Sequence, residues 1–177
     1  MSMSQNAALL KYPAEKKWYV LYVKSRAEKK VADRLAKNKI EVYLPLIKTV
    51  RQWSDRKKTV QVPLFNGYLF LKTQPDEFAL IKMVEGAVDL VRSEGRYAII
   101  KEEVIYSIKK FIETGLHISS EPDVFRAGEM VKINFGPLKD CEGELIEIRN
   151  EKQFIVRMKV INQVLIISVP AQHLSRI

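Results

Sequence analysis

Eleven residues, Pro63-Leu64-Phe65-Asn66-Gly67-Tyr68-Leu69-Phe70-Leu71-Lys72-Thr73, constrain the fold more than any other stretch of this chain. They read as a strand with aromatic residues at alternate positions, because successive side chains on a strand point to opposite faces. Asn66-Gly67 supplies the permissive backbone for a tight turn into it. The stretch holds no His, Cys, Asp or Glu. It therefore points to a binding surface rather than to a reaction centre.

The sequence before and after supplies partners for that strand. Trp18-Tyr19-Val20-Leu21-Tyr22-Val23 is β-branched and aromatic throughout, as a central strand covered on both faces requires. Ser25 and Glu28 have capping-box spacing, so a helix is expected there. Its apolar stripe is Ala27, Val31 and Leu35 with Ala32 beside them, and Lys29, Lys30, Arg34 and Lys37 take the other faces. Glu41 to Leu46 and Thr59 to Phe65 are extended, and the polar stretch from Trp53 to Lys58 between them predicts a long hairpin with a basic tip. Pro75, Asp76 and Glu77 suit a helix start, with the helix running to about Val84.

Short strands are expected over Val88 to Val91 and Tyr97 to Ile100. A third helix follows, with Glu102 and Glu103 in its first turn, a stripe of Val104, Ile108, Phe111 and Ile112, and Gly115 at its end. The fold class expected from this order is α+β, with helices packed on a mainly antiparallel sheet. Residues 116–127 lack periodicity and read as a linker. Beyond them come extended runs at Met130 to Asn134, Gly143 to Arg149, Phe154 to Val160, Val164 to Val169 and Leu174 to Ile177. So many short strands suggest a small closed β-barrel, which leaves no free edge.

The positive charge is unevenly spread. Residues 1–58 hold 15 Lys and Arg against 5 Asp and Glu, whereas residues 115–177 hold 8 of each. A polyanion facing the N-terminal part explains this, since Lys and Arg gain free energy by releasing counterions from phosphates; the alternative is a solvated basic face. Cys141 is the only cysteine, which rules out an intramolecular disulfide and fits a reducing, cytoplasmic setting. No run reaches the length of a membrane span, and residues 1–15 read as a mobile lead-in. His117, Cys141 and His173 have no metal-ligand spacing, and neither a Walker loop nor G-x-G-x-x-G occurs. No metal, cofactor or enzymatic activity is expected.

Two signatures stand in order along the chain. The first is Trp18-Tyr19-Val20 with Pro63-Leu64-Phe65-Asn66-Gly67-Tyr68-Leu69-Phe70; the second is Gly128-Glu129-Met130-Val131-Lys132-Ile133 with Gly136-Pro137 and Gly143. Together they resemble the NusG-type transcription elongation factors over roughly Lys17 to Ile177. Within that family, Trp18 to Lys24, Leu44-Pro45-Leu46-Ile47 and the hairpin leading to Pro63 are similar to the specialised, operon-recruited antiterminators of the RfaH and UpxY kind. The resemblance implies an N-terminal α/β sandwich over 16–115, the linker 116–127 and a C-terminal SH3-like KOW barrel over 128–177.

The resemblance also implies binding sites. Tyr22, Phe65, Tyr68 and Phe70 match an apolar pocket that grips the clamp helices of the largest subunit of RNA polymerase, with a place in the core as the alternative for each. Lys24, Arg26, Lys30 and Arg34, with Ser25 and Lys29 beside them, match a surface that touches non-template DNA. Trp53 is placed to stack on a base of single-stranded DNA or nascent RNA, or on its own hairpin. In the barrel, Gly136, Pro137 and Gly143 have structural roles. Ile161 occupies, in an expected exposed turn, the loop position that meets a small-subunit ribosomal protein or the termination factor Rho, or else is an ordinary barrel residue.

Two positions depart from the family pattern: Asn66 stands where Pro is common, and Asp140 where Gly is. The implied protein is a monomeric, non-enzymatic factor that suppresses pausing and termination at particular operons. A general elongation factor and a ribosome-associated KOW protein that binds RNA are the alternatives.

Overall fold

The computed structural model describes residues 15–52, 56–115, 118–122, 128–134, 139–140, 142–148, 151–158, 161, 163–168 and 173–177. The chain divides into two compact units, Met1–Leu44 with Asn66–Ile100 and Pro45–Phe65 with Lys101–Ile177.

The first unit is built around strand β1 (Lys17–Val23), helix α1 (Glu28–Lys37) and strand β2 (Glu41–Tyr43). The chain then leaves for the second unit as β3 (Leu46–Gln52) and β4 (Lys57–Pro63). It returns as β5 (Tyr68–Thr73), a 3₁₀ turn (Pro75–Glu77), helix α2 (Phe78–Met83), β6 (Ala87–Leu90), β7 (Arg92–Ser93), β8 (Arg96–Tyr97) and β9 (Ile99–Ile100). The sheet runs β2-β5-β1-β6, all antiparallel, with β9 also paired to β1. The eleven-residue stretch is thus shared: Pro63 closes β4, Leu64 to Gly67 form the turn, and β5 begins at Tyr68.

Along β1 every residue from Trp18 to Val23 is buried except Tyr22, so the expected two-sided coverage holds with one exception. One face carries Tyr19, Leu21 and Val23 of β1 with Leu69 and Leu71 of β5. These pack with Val31 and Leu35 of α1 and with Phe78 and Ile81 of α2, and the Phe78 ring makes T-shaped contacts with both Tyr19 and Tyr97. Each such side chain stabilises by about 1.5–3 kcal/mol when fully buried.

The expected capping box does not form. The residue before α1 is Ala27, no side chain caps the helix, and Ser25 is exposed. Instead the Ala27 N–H donates to the Lys24 carbonyl at 3.0 Å, through a turn that holds Arg26 at φ 64°. At Pro75 the helix start forms as expected: Gln74 and Glu77 make a reciprocal capping box.

In the second unit, β3 and β4 form a hairpin in register from Leu46 opposite Pro63 to Gln52 opposite Lys57. Helix α3 (Glu102–Glu113) buries Ile105, Ile108 and Phe111. The expected stripe included Val104 and Ile112, which are only half-buried, and omitted Ile105, so the buried face is rotated relative to the expectation. Gly115 follows at φ 66°, the left-handed conformation that ends helices.

Strands β10 (Ile118–Pro122), β11 (Glu129–Ile133), β12 (Glu142–Ile148), β13 (Glu151–Met158), β14 (Gln163–Ser168) and β15 (Leu174–Arg176) make an antiparallel sheet in the order β10-β14-β13-β12-β11-β15. The five expected strands are present. The sixth, β10, lies inside the span read as a linker and pairs with β14.

Candidate binding surfaces

The face of β1 and β5 opposite the α1 core holds Val20 and Tyr22 with Tyr68 and Phe70, as their alternation required. Val20 is paired with Phe70 and Tyr22 with Tyr68. Exposure rises along this face: Phe70 is fully buried, Tyr68 half-buried, and Tyr22 46% exposed. Phe70 is enclosed because β5 lies between β1 and β2, where the Tyr43 ring is 6.2 Å away. Phe65, in the second unit, is also buried. Of the four residues expected at an apolar pocket, Phe65 and Phe70 are core, and Tyr22 and Tyr68 are the pair offered outward, with ring centroids 5.4 Å apart.

Gly67 holds that pair in place. Its φ of +80° is left-handed, and an added Cβ would come within 3.2 Å of Cε2 of Tyr22. Its carbonyl accepts the Val23 N–H at 2.8 Å, and its own N–H donates to the Glu28 carboxylate at 2.8 Å in a buried bond. Glu28 is the residue that sequence reasoning missed, since its spacing from Ser25 pointed to a cap. It shares the stripe of Val31 and Leu35 at positions i, i+3 and i+7. An acid on a buried stripe calls for a partner, and that signal is present in the sequence.

On the next edge, Asp89 of β6 stands opposite Tyr22 and receives Lys82 of α2 at 2.6 Å. The Lys82 hydrogen bond holds the Asp89 carboxyl below its ordinary range, and in return raises the lysine. At Glu77, burial pushes the carboxyl upward, but hydrogen bonds from Thr73, Lys16 and Gln74 outweigh it and leave it lowered.

The basic residues separate into two groups. Lys24, Ser25, Arg26, Lys29 and Lys30 are exposed at the start of α1. Arg34, expected among them, is committed elsewhere: its guanidinium meets the Glu85 carboxylate and the Glu85 carbonyl, each at 2.6 Å. Trp53 lies outside the described residues.

In the C-terminal sheet, Gly136 and Pro137 are likewise outside the described residues. Gly143 is buried in β12 opposite Val131. Gly128 donates its N–H to the Glu144 carboxylate, and an added Cβ would collide with the Leu145 carbonyl, so only glycine fits. Asp140 adopts φ 71°, its N–H bonds the Ile133 carbonyl at 2.8 Å, and Lys132 pairs with its carboxylate at 3.3 Å. Asp is among the few residues that tolerate this left-handed backbone in place of Gly. Ile161 was expected in an exposed turn; it is 4% exposed, because an isoleucine gains more from burial than from solvent. Among the described residues, no helix is long and apolar enough to cross a membrane.

A family model described as "Transcription termination factor nusG" matches residues 16–109, more than half of the chain. The chain belongs to the NusG family. Two proteins named "Transcription termination/antitermination protein NusG" illustrate the distance. That of Rickettsia felis is 24% identical over 156 residues, covering 82% of this chain and 80% of its own. That of Vibrio cholerae is 25% identical over 158 residues, covering 82% and 85%. A solved structure described as "Domain interaction in Thermotoga maritima NusG" has the same fold at a TM-score of 0.54 and 23% identity, covering 92% of this chain and 98% of that one. The NusG family match contains β1, α1, the hairpin, β5 and the outward tyrosine pair.

Proposed function

We propose that this protein is a non-enzymatic elongation factor that binds RNA polymerase and suppresses pausing and termination at particular operons. The observation that carries this reading is the family match over residues 16–109, within which the Tyr22 and Tyr68 rings lie side by side, the first exposed and the second half-buried, beside the enclosed Val20 and Phe70. Aromatic pairs of this kind anchor interfaces well, since they bury much area with few rotors to immobilise.

In this reading residues 16–115 form the polymerase-binding module, followed by a KOW barrel over 128–177 to which β10, within 116–127, adds a strand. Tyr22 and Tyr68 meet the clamp helices of the largest subunit, with Phe70 as a buried support. Lys24, Arg26, Lys29 and Lys30, with Ser25, face non-template DNA. The module favours the closed, elongating polymerase over the open, paused one; a ligand shifts an equilibrium only by its differential affinity for the two states. The barrel, tethered nearby, meets a small-subunit ribosomal protein or Rho at raised effective concentration. The protein works in the cytoplasm as a monomer.

Single-round transcription through a pause site and a terminator, with and without the protein, tests this. Read-through that depends on a particular leader sequence is expected. An equal response on every template establishes the general factor instead. No effect with the cognate polymerase rejects both.

A further inference from the structure

The hairpin of β3 and β4 carries more positive charge than its fold needs. Lys48, Arg51, Arg56, Lys57 and Lys58 are all exposed, and none of the five forms an ion pair among the described residues. Residues 45–65 contain one acid, Asp55. Arg51 stands directly opposite Lys58. Like charges facing each other across a ladder are destabilising, so the arrangement costs the isolated hairpin stability.

Burial changes along the ribbon. In the half near its base, Ile47, Thr49, Val60 and Val62 share one face and are half-buried. In the outer half both faces are exposed: Arg51 with Lys58 on one, Val50 with Thr59 and Gln52 with Lys57 on the other. Cations therefore leave a thin ribbon on both sides. A two-stranded ribbon, its strands about 4.8 Å apart, fits within a B-DNA major groove about 12 Å wide, and the phosphates of two strands flank that groove. A single strand offers one row of phosphates, and proteins that hold one use aromatic platforms. The paired strands, residues 46–52 and 57–63, contain no aromatic residue; Trp53, between them, lies outside the described residues.

We propose that Arg51, Arg56, Lys57 and Lys58 form a second nucleic-acid contact, which grips the phosphate backbone of duplex DNA without regard to sequence. Sequence independence follows from the chemistry, because phosphate contacts fix position and carry no base information. The contact goes beyond the surface at the start of α1 and needs no polymerase, so it can fail while the transcriptional reading stands, and the reverse.

The test is fluorescence anisotropy of the full chain with a short duplex of arbitrary sequence, titrated with salt. Replacing Arg51, Lys57 and Lys58 together by Gln is expected to lower the slope of log K against log salt by roughly 2–3, at about 0.9 for each phosphate no longer neutralised, and to weaken binding about tenfold or more at low salt. Thr59→Lys, at an exposed position, adds a cation and is expected to steepen the slope by about 0.9. An unchanged slope in both variants overturns the proposal. So does a loss of affinity for single-stranded DNA or RNA of the same sequence as large as that for the duplex or larger, since the contact then does not select duplex. A thermal melt that matches the parent excludes misfolding of the triple variant, and the Thr59→Lys result stands independently of it.

Discussion

The two faces of β1 and β5 are made by the same two strands, yet only one of them is closed. Tyr19, Leu21, Val23, Leu69 and Leu71 are buried together against α1 and α2. On the other face Val20 and Phe70 are buried, but exposure then rises through Tyr68 to Tyr22. Alternation alone distributes residues between faces; it does not say where coverage ends. Tyr22 and Tyr68, the pair that the proposed function assigns to polymerase, lie at that limit, where the sheet's apolar face reaches solvent.

Leu21→Ala tests the closed face and is expected to have the largest effect. Leu21 is fully buried, and removing it leaves a cavity among Leu90, Leu69 and their neighbours, at a cost of about 2–5 kcal/mol. Urea unfolding measures it. A loss comparable to that of the adjacent Tyr22→Ala erases the distinction between the faces.

Glu28→Ala probes how the two faces are held in register. The change leaves the buried Gly67 N–H without its carboxylate acceptor, for about 1–3 kcal/mol. Glu28→Gln keeps an acceptor and is expected to recover a good part of that loss. Because Gly67 lies against the Tyr22 ring, Glu28→Ala should also shift the tyrosine signals in an NMR spectrum. If the ring resonances of Tyr22 and Tyr68 stay put while stability falls, the bond supports the core and not the outward pair.

This bond also marks the limit of what the sequence disclosed. The stripe of Val31 and Leu35, the double burial of β1 and the parity of Tyr22 with Tyr68 follow from local periodicity, and they are present as read. Glu28 escapes such a reading because Ser25 offers a chemically sound local partner, while the actual partner lies 39 residues away. Phe70 and Tyr68 share a face but not an environment, since the neighbouring strand that encloses Phe70 is set by tertiary pairing. On α3, the helical phase alone does not choose between Val104 and Ile105. Arg34 resembles its basic neighbours in sequence, and only the fold brings Glu85 within its reach.

Tyr22→Ala addresses the open face. With 46% of the residue exposed, its loss removes the ring contact with Tyr68 and the packing beside Gly67 but opens no enclosed cavity, so stability should fall by only about 0.5–1.5 kcal/mol. Association with polymerase, measured by pull-down of the folded variant, should be lost under the proposed function. Retained association moves the interface away from this face.

The smallest effect belongs to the rim, at the Lys82 and Asp89 pair opposite Tyr22, and here the expected signature is pH rather than magnitude. Both side chains are partly exposed, at 33% and 48%, so screening limits the pair to about 0.2–1 kcal/mol. The lysine's hydrogen bond lowers the Asp89 pKa in the folded protein. Its contribution is therefore complete above the unfolded value of about 3.9 and is lost as the pH falls through the lower native value. Lys82 is raised, so its share is complete below the unfolded value of about 10.4 and is lost as the pH rises through the native one. Asp89→Asn should thus be slightly less stable than the parent at neutral pH, with the gap closing in strong acid. The Leu21→Ala deficit contains no titrating group and should keep its size through the same acid range, as long as both proteins remain folded. A gap for Asp89→Asn that does not close in acid would show that the rim is held by packing, like the closed face, and not by charge.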